Sequence, residues 1–335
     1  MKKLLALILF AVLLACAVTP CTGATQQNEN TVPQDSTLDV IGWFCKRDTV
    51  VYWIQESDWK LNNGDTIKTA GVSTQVMITV TDSTATGYKM NYTFLDVRGD
   101  SLADSELGNF QNKIVTLLGK KIIGTTISFE TNEYGKIEKI NNLGKIKKQA
   151  KTLFKEAVKE MEKAPWVKGL KDMGLDLTDY TKGVDTDLLV EGYIEELKLL
   201  FMCHGGVYDL GETTEKEEAT ETQYANETYS SVTIDDDKCY SILSDVVSTI
   251  PQSDIKAMVA GVVDNLNDSE VKDNFNAHFD TAVNVDCTVD SYFKIAFLPN
   301  GWPYEVVKQE TTMIGENGKV KQKYIYLDTY SFYNY

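Results

Sequence analysis

Apolar and polar residues alternate along much of the first and last thirds of the chain. The clearest case is the run in which Tyr88, Met90, Tyr92 and Phe94 alternate with Lys89, Asn91 and Thr93. A period of two places one set of side chains on a buried face and the other in water, so the pattern predicts strands. We predict strand regions at 40–61, 72–82, 88–94, 121–130, 136–140, 220–234, 238–249, 293–297, 304–312 and 320–329.

Short turn signals separate most of these strands. They are Asn62-Asn63-Gly64-Asp65, Asn132-Glu133-Tyr134-Gly135, Asp235-Asp236-Asp237, Asn300-Gly301 and Asn317-Gly318. Connections this short favour hairpins, and therefore antiparallel sheet over a parallel βαβ arrangement.

The middle of the chain changes to helical spacing. One apolar stripe contains Ile146, Ala150, Leu153, Phe154, Ala157, Val158 and Met161. We predict helices at 103–118, 145–163, 185–204, after Pro251 and at 271–279. We expect the stripe of helix 145–163 to pack against the apolar face of strand 88–94.

Together these patterns predict an α+β fold in which curved antiparallel sheets wrap around amphipathic helices. The sequence divides into a first sheet-plus-helix half, 40–204, and a second half, 205–335. Each half reads as hairpin, helix, hairpin, which suggests an internal duplication.

The N-terminus has the layout of a secretory signal. Positive Met1-Lys2-Lys3 precedes an uncharged apolar run from Leu4 to Val18, and small and polar residues follow. Cleavage after Ala24 would give a signal at 1–24 and a mature chain that begins at Thr25. Leu13-Leu14-Ala15-Cys16 instead resembles a lipobox, which would give a signal at 1–15 and a lipid on Cys16. Polar residues 25–39 then predict a disordered linker.

The charge and composition of the chain indicate which kinds of partner it is expected to bind. The 335 residues carry a net charge of -16, which argues against binding of nucleic acid or of an anionic membrane by the whole surface. Hydrophobic residues make up 43% of the chain, enough for a sizeable core. We expect membrane contact only through a lipid on Cys16.

Four cysteines remain after the signal: Cys45, Cys203, Cys239 and Cys287. In an oxidising compartment they could form two disulfides in any of three connectivities, or they could stay as buried thiols. Cys239 and Cys287 both fall in strand-like segments of the second half, so we predict that they pair, which leaves Cys45 with Cys203.

Asp followed by Ser or Thr recurs at six places, in a pattern similar to an O-glycosylation sequon of some Gram-negative bacteria. The acceptors would be Ser36, Thr49, Thr66, Ser83, Ser101 and Thr281. The alternative interpretation is that these residue types simply favour turns.

Catalytic signatures are lacking. The sequence contains no nucleophile-elbow, zinc-protease, Walker or dinucleotide-binding motif. Its histidines, His204 and His278, fit structural roles, so we assign no catalytic, cofactor-binding or metal-ligating residue and expect no cofactor. An acid-base hydrolase would require two carboxylates that converge in a cleft with shifted pKa values.

A lysine-rich segment covers 145–163, where seven lysines surround the apolar stripe. It could bind an anionic partner or a lipid headgroup, or it could be a solvated face that complements an acidic protein.

The signal, the long antiparallel strands, the central amphipathic helix and the closing hairpin together resemble exported proteins and lipoproteins of Gram-negative bacteria. The half-barrel of the lipoprotein-carrier (LolA/LolB-like) superfamily is a looser likeness. The resemblance covers roughly 40–335 and implies no site residues. We predict a non-enzymatic protein of the periplasm, outer membrane or exterior, and the concave side of a curved sheet is a natural site for an apolar small molecule, a lipid or an envelope protein. The alternative is a structural or cell-surface interaction protein with a filled core.

Overall fold

The computed structural model describes residues 36–100, 116–117, 119–163, 186–220, 223–264, 273 and 286–329. The strands are β1 (Thr37–Asp39), β2 (Thr49–Asn62), β3 (Asp65–Thr84), β4 (Gly87–Gly99), β5 (Thr126–Thr131), β6 (Ile137–Ile140), β7 (Val207–Asp209), β8 (Gly211–Glu217), β9 (Asn226–Ile234), β10 (Tyr240–Ile250), β11 (Cys287–Phe297), β12 (Pro303–Ile314) and β13 (Asn317–Leu327). The helices are α1 (Leu143–Met161), α2 (Thr186–Phe201) and α3 (Gln252–Asp264).

One large antiparallel sheet organises the described chain. Its eleven strands run in the order β6-β5-β4-β3-β2-β13-β12-β11-β10-β9-β8, and β1 pairs separately with β7. The predicted α+β class is therefore confirmed. The two predicted halves meet edge to edge, because β13 pairs with β2 from Leu327 opposite Tyr52 to Asn317 opposite Asn62.

Period-two burial follows the sequence pattern closely. In β4, Tyr88, Met90, Tyr92 and Phe94 are all buried, as predicted. On the neighbouring strands Val76, Ile78 and Ile54 are also buried, and we call this buried side the inner face of the sheet.

The sheet bends strongly at one end. Gly42 N–H donates to Tyr134 O (2.8 Å) in the β5–β6 turn, and Trp43 N–H donates to Asn300 O (2.9 Å) in the β11–β12 turn. These turns lie six strand positions apart, which a flat sheet would separate by about 29 Å. Contact with two consecutive residues requires the sheet to curve around the segment that contains them.

Helix α2 packs against the inner face. Val190, Ile194, Leu197, Leu200 and Phe201 are buried in the same core cluster as the β4 side chains. The α1 stripe is the expected partner of β4, but from that stripe only Ile146 belongs to the core cluster as a fully buried residue. Ala157 and Met161 are fully buried outside that cluster, while Leu153, Phe154 and Val158 are half-buried. The main helical contact of the sheet is therefore α2.

Three local predictions need correction. The last hairpin turns at Gly315-Glu316, because Gly315 has a φ of 60°, and Asn317 already begins β13. The end of the predicted 25–39 linker forms β1, in which Leu38 is buried. The predicted 220–234 strand is preceded by an unpredicted one, β8, which pairs with β9.

Some predictions fall outside the described residues. These are the signal, most of the 103–118 helix and nearly all of the 271–279 helix. Within the described ranges, every helix is too short or too polar to cross a bilayer.

Candidate functional site

On the inner face, the side chains of β2, β13 and β12 change from apolar to charged at the same position in the strand register. Ile54, Ile325 and Val306 lie side by side and are buried. Two residues along each strand, the same face carries a charged row formed by Glu56, Lys323 and Lys308. A second charged row follows, formed by Asp58, Lys321 and Glu310.

A cleft of about 180 Å³ opens over these charged rows. All six charged side chains line it, together with Gln322 and with Glu195 of α2. The cleft therefore lies between the sheet and α2, beside the buried residues Ile54, Ile325 and Val306.

Lys323 joins the sheet to α2 at the border of the cleft. Its Nζ lies 3.2 Å from Glu56 Oε1 and 3.2 Å from Glu196 Oε1. The Tyr92 hydroxyl donates to Glu196 Oε2 over 3.4 Å. Glu196 is 4% exposed, so one cation and one hydroxyl contact a carboxyl group that is almost removed from water.

The two carboxyl groups differ in protonation. Burial raises the pKa of Glu196 to about 8, helped by the hydrogen bond to Glu56 and opposed by the charge of Lys323. Burial also acts to raise the pKa of Glu56, but the hydrogen bond from Glu196 and the Lys323 charge outweigh it and hold that pKa below its ordinary value. The two carboxyl groups therefore titrate as a coupled pair, and the opposite directions of their pKa shifts favour the proton on Glu196.

Two further ion pairs close the edges of the cleft. Lys308 Nζ lies 3.0 Å from Glu195 Oε1 on α2, and Lys319 Nζ lies 3.4 Å from Asp58 Oδ2. Both pairs are partly exposed, so each contributes little to stability.

His204 belongs to the aromatic core at the bent end of the sheet. Its Nε2 lies 2.9 Å from Gly301 O, and its ring packs 5.2 Å from Phe201. Burial lowers its pKa to about 4, so the ring is neutral. Gly135 has a φ of 95°, and a Cβ there would approach His204 to 2.7 Å, which is why glycine is required.

Cys203 belongs to the same buried core cluster as His204's ring partner Phe201. Burial raises the pKa of its thiol to about 11, and its side chain hydrogen bonds with Tyr208 and not with His204.

The predicted Cys239–Cys287 disulfide is wrong. Cys239 precedes Tyr240, which pairs with Phe297, whereas Cys287 pairs with Ile250 at the other end of the same two strands. About ten residue steps, or about 33 Å, separate the two cysteines, and a disulfide requires Cα atoms within about 7 Å. Cys45, Cys203 and Cys239 carry free thiols, and Cys45 is exposed while Cys203 is buried.

Four of the predicted glycosylation acceptors can be placed. Ser36 precedes β1, Thr49 begins β2, and Thr66 is exposed near the start of β3. Ser83 lies near the end of β3, where its hydroxyl donates to Phe44 O over 3.2 Å. Ser101 and Thr281, like Cys16, lie outside the described residues.

The lysine-rich face of α1 is partly neutralised by α2. Lys147 Nζ lies 3.3 Å from Glu191 Oε1, and Lys151 Nζ lies 3.3 Å from Asp187 Oδ1. These contacts favour the interpretation in which the lysines complement acidic parts of the same chain. Among the described residues, no group of His, Cys, Asp or Glu side chains could hold a metal ion.

Sequence reasoning missed the cleft, although a signal was present. Every second residue of β13 reads Lys319, Lys321, Lys323, Ile325, Leu327, so a single strand face changes from charged to apolar. Glu196 is a second signal, because it interrupts the apolar stripe of α2 between Tyr193 and Leu200.

Comparisons with known proteins identify no family. No family model and no curated protein matches the chain. A structure of lipovitellin, described for its lipid–protein interactions, has a TM-score of 0.38 and 10% identity over 85% of this chain and 25% of that chain. An outer membrane channel from Pseudomonas putida F1 has a TM-score of 0.14 and 8% identity over 89% of this chain and 100% of that chain. The chain thus spans a quarter of the lipovitellin chain, and both TM-scores are too low to establish a shared fold.

Proposed function

We propose that this is an exported, non-enzymatic protein that binds an amphiphile on the inner face of its sheet. This proposal rests on two neighbouring rows of side chains on the inner face of the sheet. The apolar row is formed by Ile54, Ile325 and Val306. The next row, which lines an open cleft, is charged and is formed by Glu56, Lys323 and Lys308. A ligand that spans both rows places a polar group in the cleft and an apolar chain along the apolar row.

The apolar chain takes the place of α2 side chains. Leu197 and Leu200 are buried in the same core cluster as Ile54, Ile325 and Val306. Removing a leucine from its apolar surroundings costs about 1.5–3 kcal/mol, and each buried methylene of a ligand returns about 0.8 kcal/mol. A chain of eight or more carbons therefore offsets the displacement of both leucines. The ion pair between Lys308 and Glu195 is partly exposed and opposes the movement only weakly.

A chain-length series tests this function. We expect the affinity of lysophospholipids for the mature chain, measured by calorimetry below their critical micelle concentrations, to rise about fourfold for each added methylene between eight and fourteen carbons. An affinity that does not change with chain length would show that no apolar site exists.

Export is supported by the order of the first 24 residues, in which a positive start, an apolar run and small residues follow one another. Mass spectrometry of protein from its own envelope should find either Thr25 or a lipidated Cys16 at the N-terminus. An intact Met1 on the bulk of the protein would refute export.

One observation favours a second function, acid-base hydrolysis. Glu56 and Glu196 converge beside the cleft with pKa values shifted in opposite directions, as a general base and a general acid require. If the site is catalytic, Glu196→Gln should lower the rate on an ester or glycoside substrate by at least about a hundredfold. Glu212→Gln, which changes an exposed carboxylate on β8 away from the cleft, serves as the matched control. Absence of turnover across a broad substrate panel would exclude this alternative.

A further inference from the structure

The charges that line the cleft are paired with two exceptions. Lys308 contacts Glu195, Lys323 contacts both Glu56 and Glu196, and Asp58 contacts Lys319. Within the part of the chain that the structure describes, Lys321 and Glu310 take part in no ion pair.

These two charges are neighbours of opposite sign. Glu310 of β12 and Lys321 of β13 lie directly opposite each other in the strand register, which places their Cα atoms about 4.5–5.5 Å apart. Both line the cleft, where Lys321 is exposed and Glu310 is half-buried.

From this arrangement we infer that the polar group of the ligand is a zwitterion with an anion and a primary ammonium a few ångströms apart. This inference rests on the proposed amphiphile function and names the chemical class of its head. The anion accepts hydrogen bonds from the Lys321 ammonium, and the ligand ammonium donates to the Glu310 carboxylate. A phosphoethanolamine head has this chemistry.

A singly charged head fits less well. An anionic head satisfies Lys321 but brings its charge near Glu310, and a cationic head does the reverse. The remaining lysines of the cleft do not compensate, because Lys308 and Lys323 already contact carboxylates. Complementary charges select against these alternatives as well as for the zwitterion.

Calorimetry on the mature chain with four probes tests the inference. Three are amphiphiles of equal chain length: lysophosphatidylethanolamine, lysophosphatidylglycerol and an alkylammonium. The fourth is free phosphoethanolamine. We expect the zwitterionic amphiphile to bind roughly tenfold more tightly than either singly charged one, a difference of about one charge-assisted contact.

Two variants assign the charges. Glu310→Gln should abolish the preference over the anionic amphiphile, and Lys321→Gln should abolish the preference over the cationic one. Glu212→Gln and Lys89→Gln alter exposed charges elsewhere on the sheet and should leave both preferences unchanged.

The outcomes separate this inference from the proposed function. Equal affinity for all three amphiphiles would overturn the zwitterion but leave amphiphile binding in place. Binding of free phosphoethanolamine without binding of any amphiphile would support the zwitterion site and overturn the amphiphile function. Failure of all four probes to bind would overturn both.

Discussion

Glu196 is a carboxyl group whose buried surroundings raise its pKa well above the ordinary value. It lies on a helix among leucines, is almost fully buried, and contacts Lys323 and Tyr92. Buried polar contacts of this kind add little net stability compared with apolar packing, because the cost of removing the carboxyl group and the Lys323 ammonium from water offsets most of the attraction. The presence of Glu196 at the border of a cleft is therefore better explained by function or by positioning of α2 than by stability.

Glu196 should make the protein less stable as the pH rises. Its pKa is higher in the folded chain, at about 8, than the ordinary 4.5, so between these values the folded state binds more protons than the unfolded state. The free energy of unfolding should fall by at most about 1.4 kcal/mol per pH unit in this window. Urea titrations from pH 5 to pH 8 measure the slope.

Glu196→Gln should remove this contribution, while Glu195→Gln should keep it. His204 acts in the opposite direction, because its folded pKa of about 4 lies below its ordinary 6.5 and stability is lost as the pH falls between them. The difference between wild type and Glu196→Gln isolates Glu196, since His204 titrates in both proteins. Parallel slopes in the two proteins would contradict the buried, protonated carboxyl.

At the scale of single elements, α2 should contribute more to stability than α1. Leu197 is fully buried against the sheet, whereas Phe154 of α1 is only half-buried. We expect Leu197→Ala to lower the free energy of unfolding by about 2–5 kcal/mol and Phe154→Ala to lower it by less. Lys198→Ala, an exposed neighbour on α2, should change it by no more than about 0.5 kcal/mol. Denaturant midpoints of the three variants test the ranking, which a larger loss at Phe154 would reverse.

The sequence predicts strands better than it predicts their partners. The alternation from Tyr88 to Phe94 predicts a strand with one buried face, because that signal is local. Which helix covers the face depends on contacts between residues far apart in the chain, so α1 was expected and α2 is found. The last turn was misplaced by two residues because Asn317-Gly318 competes with Gly315-Glu316, and only strand pairing decides between them.

The cleft is not predictable from the sequence for the same physical reason, because it depends on pairing between strands that are distant in the chain. Each strand shows its own change from apolar to charged residues, for example from Ile325 to Lys323. A site forms only because β2 pairs with β13, which aligns those changes across strands from opposite ends of the chain. Register between distant strands cannot be determined from local sequence patterns.

At the scale of the whole molecule, the β2–β13 pairing makes the two halves interdependent. A chain limited to residues 36–204 would lose β13, β12 and β11, and with them buried residues such as Ile325, Val306 and Ile295. We predict that this fragment shows no cooperative unfolding transition, whereas the mature chain unfolds as one unit. Thermal melts followed by circular dichroism compare the two. A fragment that melts cooperatively would mean that the first half is an independent domain.

The proposed internal duplication of the two halves stays a prediction.

We propose that an amphiphile spans the apolar and charged rows of the inner face. Photo-crosslinking with lysophosphatidylethanolamine that carries a diazirine in its chain tests it most directly, because neighbouring residues on β2 and β13 point to opposite faces. If the ligand lies there, we expect labels on Ile54, Ile325 and Leu197. Labels confined to the outward-facing Trp53 and Tyr326 would contradict it.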